Sequence, residues 1–231
     1  MSHLSPCALE ARRLDNDRFL CALAAPAGKR EALFALLALD GELAGIRSRA
    51  KEPLLRRMRL AWWRETLESV VAGAPAPRHP VAEALAAAVR THDLSGESIR
   101  GLLDAREDDL DDEPHPDPEA LAAATGAPLA RLMLEVLGFR DGPVVAAATG
   151  VATAHSLADQ CRAGRAPPAL AETAASHLKE ARRLLPRPPK AALPALLPAI
   201  LIESRLRRPP WAGRGAWPLI RLVLAAWRGR F

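Results

Sequence analysis

The chain has no tyrosine and little other aromatic content, with five tryptophans and four phenylalanines in 231 residues. Alanine, leucine and arginine dominate instead. They lose little conformational freedom in a helix, so the composition favours helices over strands. Cysteine is also scarce. Cys7, Cys21 and Cys161 are odd in number and no C-x-x-C spacing occurs. That excludes a disulfide framework and a cysteine zinc site, and it fits a reducing compartment. The N-terminal MSHLSPCALEARRLDNDRFL has no apolar core, so no signal peptide is expected. The longest apolar runs, Ala191–Ile202 and Ala216–Trp227, are too short to span a bilayer and carry prolines or an arginine. A soluble or peripheral protein is expected. No Ser-His-Asp set, glycine-rich phosphate loop or nucleic-acid motif stands out, so no nucleic-acid partner is assigned.

What is present is apolar bulk and segregated charge. An apolar share of 49% marks a folded chain, and the length suits a single domain over residues 1–231. The formal charge is +5 and the pI about 9.7. From Asp104 to Glu119, nine acidic residues face only Arg106. From Leu201 to Phe231, seven arginines face only Glu203. Such a basic end suits anionic lipid, nucleic acid or an acidic partner, and equally a solvated helix face.

Helical spacing recurs along the chain and no strand pattern is evident. The pattern predicts helices over Asp17–Ala25, Gly28–Arg49, Pro53–Ala72, His79–His92 and a segment capped by Ser95. In the second of these, Leu33, Leu36, Leu37 and Leu43 form one buried stripe. Further helices are expected over Glu119–Leu137, broken or kinked at Pro128, then Gly142–Arg162, Ala169–Leu185, Ala191–Arg208 and Ala216–Arg228. The expected fold is all-α, a single-domain bundle of about eight to ten helices.

Several blocks carry a family resemblance. Lys29-Arg30-Glu31-Ala32-Leu33, Arg59-Leu60-Ala61-Trp62-Trp63-Arg64-Glu65, His79-Pro80-Val81, Leu103-Asp104-Ala105-Arg106 with Asp109-Leu110, and Gly150-x-Ala152 occur in order. In sequence and spacing they resemble the squalene/phytoene synthase family, whose members join two prenyl diphosphates head to head. The resemblance implies the isoprenoid (terpenoid) synthase type of helical bundle. It also implies a magnesium site, since active members hold the metal between two D-x-x-x-D motifs. A spacing of i, i+4 puts two carboxylates on one helix face, and magnesium takes such oxygen ligands together with substrate phosphates.

Both motifs fail here. The first aligns with Ala44 and Ser48, beside Arg47; the second aligns with Cys161 and Arg165. Asp40, one turn before Ala44, and Asp159, near His155 and Arg162, are the carboxylates left nearby. Direct ion pairs, Asp40 with Arg47 or Asp159 with Arg162, are expected across the former cavity. The literal D-x-x-x-D of Asp104 and Asp108 matches neither motif position and is read as a solvated helix end. Trp62 and Trp63 point different ways, one into the core. Trp211, Trp217 and Trp227 alternate with arginines and are read as packed terminal helices, with a membrane-surface helix as the rival.

The reading is a degenerate family member with no catalytic residue, no metal ligand and no cofactor. Asp40, Ala44, Arg47, Ser48, His155, Asp159, Cys161, Arg162 and Arg165 line the former cavity. The degenerate branch implies a role in assembly of respiratory complex I or in prenyl-lipid binding. The partners so implied are a prenyl diphosphate or prenyl lipid, a membrane surface, or a respiratory-complex subunit. The expected location is cytoplasmic, peripheral at the inner membrane. The alternative is an active magnesium-dependent prenyltransferase making squalene- or phytoene-type products.

Overall fold

In the computed structural model, described over residues 4–206 and 217–231, the described residues form helices and their connecting turns, without strands. The helices are α1 (Pro6–Leu14), α2 (Asn16–Ala22), α3 (Ala27–Ala44), α4 (Ile46–Arg49), α5 (Pro53–Val71), α6 (Pro80–His92) and α7 (Gly96–Glu107). They continue with α8 (Pro118–Leu137), α9 (Pro143–Arg162), α10 (Leu170–Leu184), α11 (Leu193–Leu196), α12 (Pro198–Leu206) and α13 (Trp217–Arg228). A 3₁₀ turn, Lys190–Ala192, precedes α11.

Helix α3 is the central rod, packed by α1, α2, α6, α7 and α8. Every residue from Ala32 to Asp40 is buried, so the expected single stripe is corrected to a helix buried all round. α9 packs against α8, α10 and α12. The α8–α9–α10 layer is tight because its contact positions are small. A Cβ on Gly126 of α8 would lie 2.7 Å from the Ala152 main chain of α9.

Sequence signals set most boundaries. Ser5 caps α1 by accepting the Ala8 N–H at 3.0 Å, with Pro6 at the first helical position. This helix is not anticipated by the pattern. Ser95 caps α7 as expected, and Asp117 caps α8 through the Ala120 N–H at 2.9 Å. Gly138, with φ +97°, closes α8 in a left-handed turn that disfavours other residues.

Three expectations are corrected. The helix expected over Gly28–Arg49 ends at Ala44, and Gly45 separates it from α4. The break expected at Pro128 is absent, and α8 runs unbroken to Leu137. Packing of α8 against α7 and α9 supports the turn that lacks its proline donor. Gly101 of α7 makes room for the ring, since a Cβ there would approach it to 3.3 Å. The helix expected over Ala191–Arg208 is divided by Pro194 and Pro198, and Arg208 lies outside the described residues.

Of the tryptophans, Trp63 is buried and Trp62 is exposed. Trp211 and the Trp217 side chain lie outside the described residues. Trp227 faces solvent, which corrects the expectation that it packs. Helix α8 alone, among the described residues, is long and apolar enough to cross a membrane, and most of it is buried in the bundle.

The α8–α9 crossing yields a test. Gly126→Ala forces its new methyl against main chain that cannot rotate away. The expected cost is about 1–3 kcal/mol, a fall in Tm of about 2–4 °C per kcal/mol. Gly28→Ala, in the first turn of α3 with nothing within 4 Å of its Cβ, is expected to leave Tm unchanged or higher. Differential scanning calorimetry of both variants checks the contrast.

Candidate functional site

Asp15 sits between α1 and α2 and caps the second helix. Its carboxylate accepts the Arg18 main-chain N–H at 2.9 Å and the Arg18 Nε at 2.5 Å. Thus fixed, Arg18 reaches into the bundle and donates from Nη2 to Asp40 Oδ2 at 2.7 Å. The other Asp40 oxygen accepts Arg106 Nη2 at 2.6 Å. Arg106 Nη1 lies 3.6 Å from Asp109. Asp109 Oδ1 accepts Arg165 Nη1 at 2.7 Å and Arg47 Nη1 at 3.3 Å.

The series extends the other way from Asp15. His155 Nε2 is 3.7 Å from the Asp15 carboxylate, and its Nδ1 is 3.5 Å from Asp159. Asp159 accepts Arg205 Nη1 at 3.2 Å, and Arg205 Nη2 donates to Asp17. The result is an alternating ladder that joins α2, α3, α4, α7, α9 and α12. Its five carboxylates are matched by the five guanidiniums of Arg18, Arg47, Arg106, Arg165 and Arg205.

Burial and charge shift the titrations. Burial raises the Asp40 pKa, but Arg106 and Arg18 outweigh it and hold the carboxyl below its ordinary value. Burial likewise raises that of Asp15, and Arg18 and His155 override it and leave the group far below the usual range. Burial depresses the Arg205 guanidinium, and Asp159 and Asp17 more than restore it. Burial lowers the His155 imidazole, against the opposing pull of Asp159, so the ring is neutral at pH 7. Its Nε2 is buried without a hydrogen-bond partner.

The residues of the two altered motifs are placed as follows. Ala44 ends α3 and is exposed; Ser48 lies beyond the Gly45 break, with its hydroxyl donating to the Gly45 carbonyl at 3.2 Å. The i, i+4 spacing therefore does not put them on one helix face. The Cys161 thiol points to the Pro167 carbonyl at 3.4 Å, and burial raises its pKa. Arg47 also donates to the Asp112 carbonyl at 2.8 Å. The Asp40–Arg47 pair expected from sequence does not form, because Arg18 and Arg106 occupy both Asp40 oxygens. Asp159 meets Arg162 at 3.5 Å, but within α9 and not across the bundle.

Arg47 and Arg165, one from each altered motif, instead converge on a common counter-ion, Asp109. This corrects the view of the acidic segment as wholly solvated. Asp104 and Glu107 do face outward, held by Arg64 at 3.0 and 2.8 Å. Arg106 and Asp109 are buried in the ladder. The signal was in the sequence: Ile99, Leu102, Leu103 and Arg106 fall at three- and four-residue steps, and Asp109 follows three later. Arg18, in the chain's second helix, and Arg205, three and four after Ile202 and Leu201, are polar residues on apolar faces of the same kind.

Magnesium does not fit these residues. Ala44 offers no ligand, and Ser48 and Cys161 give neutral groups already turned to main-chain carbonyls. Each nearby carboxylate is bound by guanidinium, and the ladder is neutral without an added dication.

The fold and this site define a class. The sequence profile of the squalene/phytoene synthases matches residues 11–166, and the chain belongs to that family. It is also similar to proteins called NADH dehydrogenase (ubiquinone) complex I, assembly factor 6. The Bos taurus and Homo sapiens proteins are each 34% identical over 155 residues, 66% of this chain and 46% of theirs. The Rattus norvegicus protein is 27% identical over all of this chain and 83% of its own length. The chain thus spans about half the length of the first two relatives. Among solved structures, a dehydrosqualene synthase in complex with ligand superposes with TM-score 0.76 at 15% identity, covering 96% of this chain and 94% of that one. The squalene synthase HpnC from Alicyclobacillus acidocaldarius gives TM-score 0.67 at 21% identity, covering 87% and 90%. The fold is that of the isoprenoid synthases.

Two measurements test the ladder. Asp40→Ala removes the buried counter-ion that Arg18 and Arg106 share, leaving each with a single carboxylate, and is expected to cost about 3–5 kcal/mol, read by urea unfolding at pH 7. The pH dependence has a defined sign. The folded state holds Asp40 and Asp15 below their unfolded pKa values, so their contribution is complete above pH ~4 and lost as pH falls through the folded values. His155 is also depressed, so below pH ~6.5 the unfolded state takes up protons first and stability begins to decline. His155→Gln is expected to flatten the stability profile between pH ~6.5 and ~5 and leave the steeper acid limb in place.

Proposed function

We propose that this protein is a non-enzymatic assembly factor for the respiratory NADH dehydrogenase, complex I. It works as a helical scaffold at the cytoplasmic side of the inner membrane, with a respiratory-complex subunit as partner and without magnesium or another cofactor. The observation that carries this reading is the 34% identity to complex I assembly factor 6 proteins over two thirds of the chain.

The site supports the same reading in chemical terms. Head-to-head prenyl transfer begins with departure of a diphosphate, whose developing charge must be stabilised in a site closed to water. In place of open carboxylates that would recruit metal, this chain offers carboxylates already neutralised by arginine. The former catalytic centre becomes a cross-brace. It ties six helices together and fixes the outer surface that a partner would recognise.

Deleting the gene is expected to reduce assembled NADH dehydrogenase on native gels of membranes while squalene- and phytoene-derived isoprenoids hold their levels. Unchanged complex I in the deletion strain would overturn the proposal. Purified protein given magnesium and farnesyl or geranylgeranyl diphosphate is expected to form no product. Turnover of either substrate would establish the prenyltransferase reading instead.

A further inference from the structure

The last helix carries apolar side chains on the wrong side. α13 packs inward through Leu222, with Ala225 and Ala226 against Leu193, Leu197, Ile200 and Leu201. Its outer side chains are Ile220, Val223, Leu224 and Trp227, exposed by 49%, 67%, 41% and 78%. These positions are spaced i, i+3, i+4 and i+7, the pattern of a helix face that seeks burial. Single exposed apolar residues are ordinary; four in register on one helix are not.

A second feature adjoins this face. Arg182, Arg221, Arg228 and Arg230 surround a hollow of about 240 Å³, and Leu224 and Phe231 contribute its apolar wall. Leu224 belongs to both the hollow and the stripe. Glu203 engages Arg182 and, at 3.3 Å, Arg221. Among the described residues no carboxylate lies within ion-pair distance of Arg228 or Arg230, and both are exposed.

We propose that this face of α13 docks on an anionic phospholipid surface. The stripe enters the acyl boundary, and the arginine-lined hollow takes a lipid phosphate. An amphiphile with a charged head beside an apolar body matches a charged hollow beside an apolar stripe, whereas neither feature alone selects one. Trp227, at the end of the stripe next to Arg228, has the amphipathic character of side chains that settle at headgroup level. Arginine flanks add attraction to an anionic leaflet. The outer face of α5 supplies a contrast within the same molecule. It exposes Leu54, Leu55, Met58 and Trp62 with Arg57 and Arg59 among them, but Glu65 and Glu68 follow on the same helix, and Glu107 and Asp111 share the neighbouring cleft with Arg57 and Arg64. That face is mixed in charge and does not suit an anionic surface.

The inference stands on the α13 geometry and does not depend on the assembly role; the vesicle assay below and the deletion phenotype above fail independently. The test is cosedimentation of the purified full chain with vesicles of phosphatidylcholine alone and of phosphatidylcholine mixed with phosphatidylglycerol. Binding is expected to the mixed vesicles only, and to weaken with added salt. Val223→Ser with Trp227→Ser is expected to weaken it at least about tenfold, and Arg228→Gln with Arg230→Gln about tenfold. Both pairs are surface changes, and circular dichroism checks that the fold is kept. Leu54→Ser with Met58→Ser is expected to leave binding intact. No binding to mixed vesicles overturns the proposal, as does equal loss in the Leu54/Met58 variant. A dimer in light scattering that the Val223/Trp227 variant dissociates also overturns it, because the face is then covered by a second copy.

Discussion

Asp40 is the constraint around which the bundle is arranged. It lies on the most enclosed helix, where an unpaired carboxylate costs more than a fold of this size can tolerate. Two guanidiniums, from α2 and α7, take its two oxygens. Each of those arginines is in turn placed by another carboxylate, Asp15 or Asp109. The need of one buried charge for a partner thus spreads outward into a ladder that fixes how α2, α3, α4, α7, α9 and α12 approach one another. Apolar packing drives the collapse; the ladder decides its register. A hydrophobic substitute for the whole network could be as stable, since desolvating ion pairs offsets much of their attraction. Removing one member cannot be, because it strands the rest.

The same ladder runs through the positions that align with the two aspartate-rich motifs of the family. In the active members of the family, the resemblance implies metal ions bridging carboxylates on facing helices. Here Arg47 and Arg165 stand at or beside the motif positions, and Asp109 bridges them. Three of the four motif positions are neutral and the fourth, Arg165, is basic, and the buried Asp109 carboxylate lies between it and Arg47. Cohesion between these helices is carried by direct ion pairs.

Sequence patterning disclosed the fold well and the site in part. Proline and capping signals placed α5, α6, α9 and α10 to within a residue or two, and the start of α7, because these are local and strong. The Ser5-Pro6 start of α1 was as strong but lay ahead of the first expected helix. Gly45 was harder: a single glycine in a helical run does not announce a break, and here it takes an ordinary helical φ of −81°. At Pro128 the opposite holds, since tertiary packing keeps the helix continuous through a local breaker. In the site, Ala44, Ser48, Cys161 and Arg165 could be seen as losses because absent ligands are visible in a sequence. Their replacement by Arg18, Arg106 and Asp109 was not, because partner choice depends on how helices far apart in the chain meet. The charge run around Asp109 hid two buried residues among neighbours that mostly face water.

The central claim is that the ladder has closed the metal and diphosphate site by neutralising it. The most direct measurement is isothermal titration of the purified protein with magnesium and an unreactive farnesyl thiodiphosphate. The account predicts no magnesium-dependent heat for the analogue. Magnesium-dependent binding at one site, lost in Asp40→Asn while the fold is retained, would contradict it.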